Sequence, residues 1–158
     1  MKIKGKKIEG PNVEVIAIPR AMGEDIIFLA KAVLDMTSFE KMCPAPMPPM
    51  KMVAGGQQIP NLQDKDYLSS VNSLSVKRLA WIVLTSLAET EELEWETVDL
   101  ADHSTWENFR SEMRNSGFSD TEINRVVAGC ISANALNDEK IEAARDRFLL
   151  TAQEELNA

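Results

Sequence analysis

Apolar positions are spaced unevenly along the chain, and that spacing predicts three kinds of element. Val13-Glu-Val-Ile-Ala-Ile18 is β-branched, follows Gly10-Pro-Asn12 and stops at Pro19, which reads as a strand. Residues 26–33 form a second apolar run beyond the turn Ala21-Met-Gly-Glu-Asp25. Its β-branched start favours a hairpin with the first strand, yet residues 29–34 also suit a helix, and periodicity leaves both open. Residues 35–42, with Asp35 and Thr37 as capping candidates, predict one or two helical turns halted by prolines.

The strongest apolar signal lies within residues 67–106. Tyr67, Val71, Leu74, Leu79, Val83 and Leu87 keep helical spacing behind a cap at Asp64 or Asp66, and Leu79-Ala-Trp-Ile-Val-Leu84 is apolar all round. Such a helix must be covered on several sides, so the rest of the fold is expected to wrap it. Residues 89–98 alternate charge with Leu93, Trp95 and Thr97, an extended or turn segment that lays Trp95 on the core. Ser104-Thr-Trp-Glu107 and Ser119-Asp-Thr-Glu122 each match a capping box, in which hydroxyl and carboxylate satisfy orphan N–H groups reciprocally. The first opens a helix with Trp106, Phe109 and Met113 inward, ended by Gly117. The second opens one with Ile123, Val126, Val127, Cys130 and Ile131 inward. Asn137 caps a last helix with Ile141, Ala144, Phe148 and Ala152 inward.

Between these regions the composition shifts. Pro44, Pro46, Pro48 and Pro49 remove backbone donors, and Gly55-Gly56 adds freedom. The expected fold is α+β and mainly α. An N-terminal β-hairpin element with a short helix spans residues 1–42, a proline- and methionine-rich strap spans 43–63, and a helical bundle spans 64–158.

Size and charge narrow the function. At 158 residues the chain has the length of one domain, and a 44% hydrophobic fraction is enough for a core. A formal charge of −8 disfavours nucleic acid as a partner. Lys2, Lys4, Lys6 and Lys7 read as a solvated end. No run approaches a membrane span, the N-terminus lacks a secretory pattern, and two distant cysteines, Cys43 and Cys130, fit a reducing compartment.

Chemistry-bearing motifs are sparse. His103 is the one histidine, and Ser104 beside it is assigned to a cap, so no nucleophile–base pair is expected. Ligand spacings for zinc or calcium and a phosphate loop are missing, so no enzyme, cofactor or metal is expected. The three tryptophans read as core rather than as a binding site. The candidate protein-binding residues are Met42, Met47, Pro48, Pro49, Met50 and Met52, because flexible thioethers adapt to varied apolar surfaces and the proline spacing suits a polyproline II ligand.

Several segments together are similar to bacteriophage tail assembly chaperones. They are Lys4-Gly-Lys-Lys-Ile-Glu-Gly-Pro11, Ile18-Pro-Arg20, Val33-Leu-Asp-Met36, Phe39-Glu-Lys-Met-Cys-Pro44, Ala80-Trp-Ile-Val-Leu-Thr-Ser-Leu87 and Leu93-Glu-Trp-Glu-Thr-Val98. The likeness continues through Thr105-Trp-Glu-Asn-Phe109, Gly117-Phe-Ser119, Glu122-Ile-Asn124, Asn134-Ala-Leu-Asn137 and Ala143-Ala-Arg-Asp-Arg-Phe-Leu149. The resemblance implies a protein of the infected host cytoplasm that binds the tape measure protein and tail tube protein, with homo-oligomers possible and no catalytic residues. The alternative is a structural virion component, a tail or head–tail connector subunit.

Overall fold

The apolar runs form the elements the pattern predicts at most points. The structure, a computed structural model, describes residues 1–134, 138–139 and 141–147. Its elements run β1 (Lys2–Ile3), β2 (Lys6–Lys7), β3 (Val13–Ile18), β4 (Ile26–Lys31), α1 (Thr37–Met42), β5 (Met50–Met52), β6 (Gln58–Pro60), α2 (Lys65–Ser86), α3 (Asn108–Asn115) and α4 (Asp120–Ala133). The chain is thus mixed α and β, with small antiparallel two-stranded sheets. The lysine-rich N-terminus is a short exposed hairpin, turned by Lys4 and Gly5 at φ of 49° and 78°.

The ambiguity over residues 26–33 resolves as strand. β4 pairs antiparallel with β3, from Val13↔Lys31 to Ile18↔Ile26. Side chains alternate across a strand, so Ile16, Ile18, Phe28 and Ala30 enter the core while Val13, Val15 and Ile27 stay exposed. The buried face packs against α4 and α2. α4 comes so close to β3 that a Cβ on Gly129 would sit 2.3 Å from Ile16 Cδ1, an overlap that a glycine avoids. The outer edge of β4 is closed by Thr90, whose Oγ1 accepts from Leu29 N–H at 3.0 Å and donates to Leu29 O at 3.1 Å.

α2 begins on an Asp64 cap, whose carboxylate accepts from Tyr67 N–H at 3.0 Å. Its second half is the covered one: Ala80, Trp81, Val83, Leu84 and Ser86 are buried, while Val71 and Leu74 are half-buried and Leu68 is exposed. Trp81 stacks tilted on Trp106 with centroids 5.0 Å apart, and Phe39 of α1 completes the group at 6.4 and 6.1 Å. Trp95 lies apart from it, half-buried and edge-on to Phe109 at 6.5 Å. One hydrophobic cluster joins β3, β4, α1, α2, α3 and α4.

The two capping boxes differ. At Ser119 both reciprocal bonds form, and Arg20 adds an ion pair to Glu122 and stacks on Phe118 at 4.8 Å. At Ser104 the box is absent. Ser104 N–H and Oγ both donate to Asp102, at 2.9 and 2.7 Å, and α3 begins only after Glu107, without a side-chain cap. A carboxylate two residues upstream captures the hydroxyl first. Gly117, at φ +93°, ends α3 as expected, with Phe118 N–H donating to Met113 O at 3.0 Å and Gly117 N–H to Arg114 O at 2.9 Å.

The last expected helix is helical at residues 138–139 and 141–147, but Ile141 and Ala144 are exposed there rather than inward. No described element covers that face. Asn137, Phe148 and Ala152 lie outside the described residues.

Carboxylates tie several of these turns, and the ties depend on pH. The Thr37 hydroxyl lowers the pKa of Asp35, the Ser104 hydroxyl that of Asp102, and Ser119 N–H that of Glu122. Burial pushes Glu112 up, but the Thr97 hydroxyl and the N–H groups of Glu96 and Thr97 outweigh it, and the net shift is down. Each folded value therefore sits below its ordinary value of 3.8 or 4.5. The stability these groups add is full above the ordinary values and is lost as pH falls through the folded ones. Melting temperature should hold from neutral pH down to about 5 and fall below about 4, with a shallower fall in Glu112→Gln. A melting temperature that rises on acidification would contradict these assignments.

Candidate functional site

Residues 43–49 follow α1, where the prolines make helix impossible. α1 ends at Met42, and the N–H of buried Cys43 donates to Phe39 O at 2.8 Å, so Cys43 is fixed to the core and the chain leaves from there. From there it runs beside the first half of α2. Ser69, Ser70 and Ser73 on that helix are small enough to leave a cleft of about 480 Å³ against Met42, Cys43, Pro44 and Pro46. Lys77 and His103 close one end, with Lys77 Nζ 3.3 Å from His103 Nδ1 and the imidazole edge-on to Trp106 at 6.1 Å. A second cleft of about 390 Å³ shares Pro46 and Ser70 and adds Met47, Pro49, Tyr67, Asp64 and Asp66. One groove therefore has a cationic end and an acidic end.

Residues 50–60 are a β-hairpin, where the composition predicts part of a proline- and methionine-rich strap. Asn61 N–H donates to Pro49 O at 2.7 Å and Val53 N–H to Gln57 O at 2.9 Å, with Gly55 and Gly56 at φ of 96° and 77° making the turn. The turn signal was the Gly-Gly pair itself, flanked by Met50-Lys-Met-Val53 and Gln58-Ile-Pro60.

The six candidate residues divide. Met42 is half-buried against the core and Pro48 half-buried, whereas Pro49 is exposed. Met47 is 88% exposed, and Met50 and Met52, on one face of β5, are 55% and 66% exposed. Met47, Pro49, Met50 and Met52 are thus exposed, while Met42 belongs to the anchor.

Cys43 and His103 line the same cleft, but no hydrogen bond joins them among the described residues, and the recorded partner of His103 Nδ1 is a lysine. Cys130 is fully buried, and burial pushes its thiol up to about 12, which makes it unreactive at neutral pH. Among the described residues no three His, Cys, Asp or Glu side chains group to hold a metal. No described helix is long and apolar enough to cross a membrane.

Comparison with family models, with curated proteins and with solved structures finds no match to this chain.

Proposed function

We propose that the chain is a non-enzymatic tail assembly chaperone of a tailed bacteriophage, acting in the host cytoplasm on the tape measure protein and tail tube protein. In this reading the strap of residues 43–63 is a binding arm mounted on a C-terminal helical bundle, and its contacts are reversible. The observation that carries it is the exposure of Met47, Met50 and Met52 at 88%, 55% and 66%, whereas the helical methionines Met42 and Met113 are half-buried and buried. Unbranched thioethers left in water are a recurrent device for binding varied apolar surfaces. The segment likeness to tail assembly chaperones supplies the identity of the partners.

The test replaces Met47, Met50 and Met52 with serine and measures affinity for purified tape measure protein by calorimetry. Since a few anchors dominate most interfaces, the affinity should fall by about tenfold or more, with the helical circular dichroism unchanged. Unchanged affinity would reject the strap as the binding arm.

A further inference from the structure

The face that α2 turns to the proline segment is polar, where a covered helix face is ordinarily apolar. Asp66, Ser70, Ser73 and Lys77 follow one another at steps of three or four residues, so they share that face. All four line the groove against Pro44, Pro46 and Pro49. The short side chains of Ser70 and Ser73, both exposed, leave the space between helix and prolines open.

The charges at the two ends of this face are not spent within the chain. Lys77 Nζ meets His103 Nδ1 at 3.3 Å, and an ammonium has two further protons to give. Among the described residues no carboxylate forms an ion pair with it. Asp102, beside His103, is turned to the Ser104 N–H and hydroxyl. At the other end, Ser70 Oγ donates to the backbone oxygen of Asp66 at 2.8 Å, and the Asp66 carboxylate has no ion pair among the described residues. Lys65 projects about 100° away round the helix. On a chain of charge −8, no Asp or Glu among the described residues lines the cleft at the Lys77 end, and no Lys or Arg lines it at the Asp66 end.

The spacing of these charges describes the ligand. Asp66 and Lys77 lie three turns apart, about 16 Å along the helix axis. Four residues of extended chain span about 13 Å and bring the side chain back to the same face. The reach of a lysine side chain closes the difference.

We propose that this groove takes up an extended segment of a partner protein in which a basic and an acidic residue stand four positions apart. The basic residue lies against Asp66 and the acidic one against Lys77, and the side chain midway between them enters the space over Ser70 and Ser73. The inference rests on the binding arm proposed above for the partner's identity, tape measure protein, and on the groove alone for the charge pattern.

The test titrates the full chain with the peptide lysine-valine-threonine-valine-glutamate, blocked at both ends, and follows nuclear magnetic resonance signals. His103 is the chain's one histidine, so its imidazole signals stand alone. They should move together with the amides of Ser70, Ser73 and Lys77. A peptide with lysine at both ends should bind about tenfold more weakly, and Lys77→Glu should reverse that preference. Ser73→Leu fills the groove from an exposed helix position and should abolish binding with the helical circular dichroism unchanged. The proposal fails if the His103 and Ser73 signals stay in place, or if Lys77→Glu leaves the charge preference unaltered. It fails also if these signals move without peptide as protein concentration rises, which gives the groove to a second copy, or if Lys77→Glu holds tape measure protein as tightly as the parent chain. Peptide binding is read without tape measure protein, so the groove and the binding arm can fail separately.

Discussion

Trp106→Ala is expected to lower the unfolding free energy by about 3–5 kcal/mol, the cost of truncating a large buried aromatic that leaves a cavity behind. Trp106 is fully buried, and its neighbours Phe39 and Trp81 come from α1 and α2. A gap there faces side chains on separately anchored elements, so it cannot close by one rotamer change. Nε1 donates to Leu100 O at 3.3 Å, and that tie for the turn before α3 goes as well. A domain of ordinary stability has only about 5–15 kcal/mol in all, so the variant should unfold at low urea. Trp95→Ala serves as the control. Trp95 is half-buried and meets Phe109 edge-on, apart from the Phe39–Trp81–Trp106 group, so its loss should be less than half as large. Equal losses at the two positions would mean that Trp106 is not the closing point of the core.

Asn134→Ala should cost about 2–4 kcal/mol by a different route, since each buried polar group left unpaired costs about 1–3 kcal/mol. Asn134 Oδ1 accepts from Val33 N–H at 2.8 Å, and Nδ2 donates to Ser86 Oγ at 3.0 Å and to Cys130 O at 2.8 Å. One amide thus fastens the exit of β4, the end of α2 and the last turn of α4. Asn12 supports the same turn, donating to Ala133 O at 2.8 Å. Alanine leaves the Val33 N–H without its acceptor and the fully buried Ser86 hydroxyl without its donor. Urea unfolding gives the global loss, and the exchange rate of the Val33 amide reports the local one. A Val33 amide that exchanges no faster in the variant would remove Asn134 from this role.

Local signals carried the parts of this fold that the sequence made legible. β3 has the bounds its β-branched run and flanking breakers predict, and Gly117 and the Ser119–Glu122 box sit where their chemistry requires. Each depends on neighbours within a few residues. The Ser104 box failed for the same reason that it was credible, because a short-range motif competes with other short-range partners and Asp102 was nearer. Asn134 was invisible beforehand, since its partners lie as far away as Val33, and nothing in an Asn-Ala-Leu-Asn string marks a residue that joins three elements. In the candidate site, the thioethers and prolines were readable from composition, but the cleft against Ser69, Ser70 and Ser73 was not. A small-residue face on a helix has no distinctive periodicity.

As a proposed chaperone, this chain would hold partner proteins during assembly and then be released. That reading is tested most directly by quantifying the protein in two fractions of one infection, the soluble lysate and purified particles, with the proteins bound to it in the lysate identified. The chaperone reading predicts tape measure and tail tube proteins bound to it in the lysate and no stoichiometric presence in particles. A fixed copy number in purified particles would contradict it and make the chain a structural subunit.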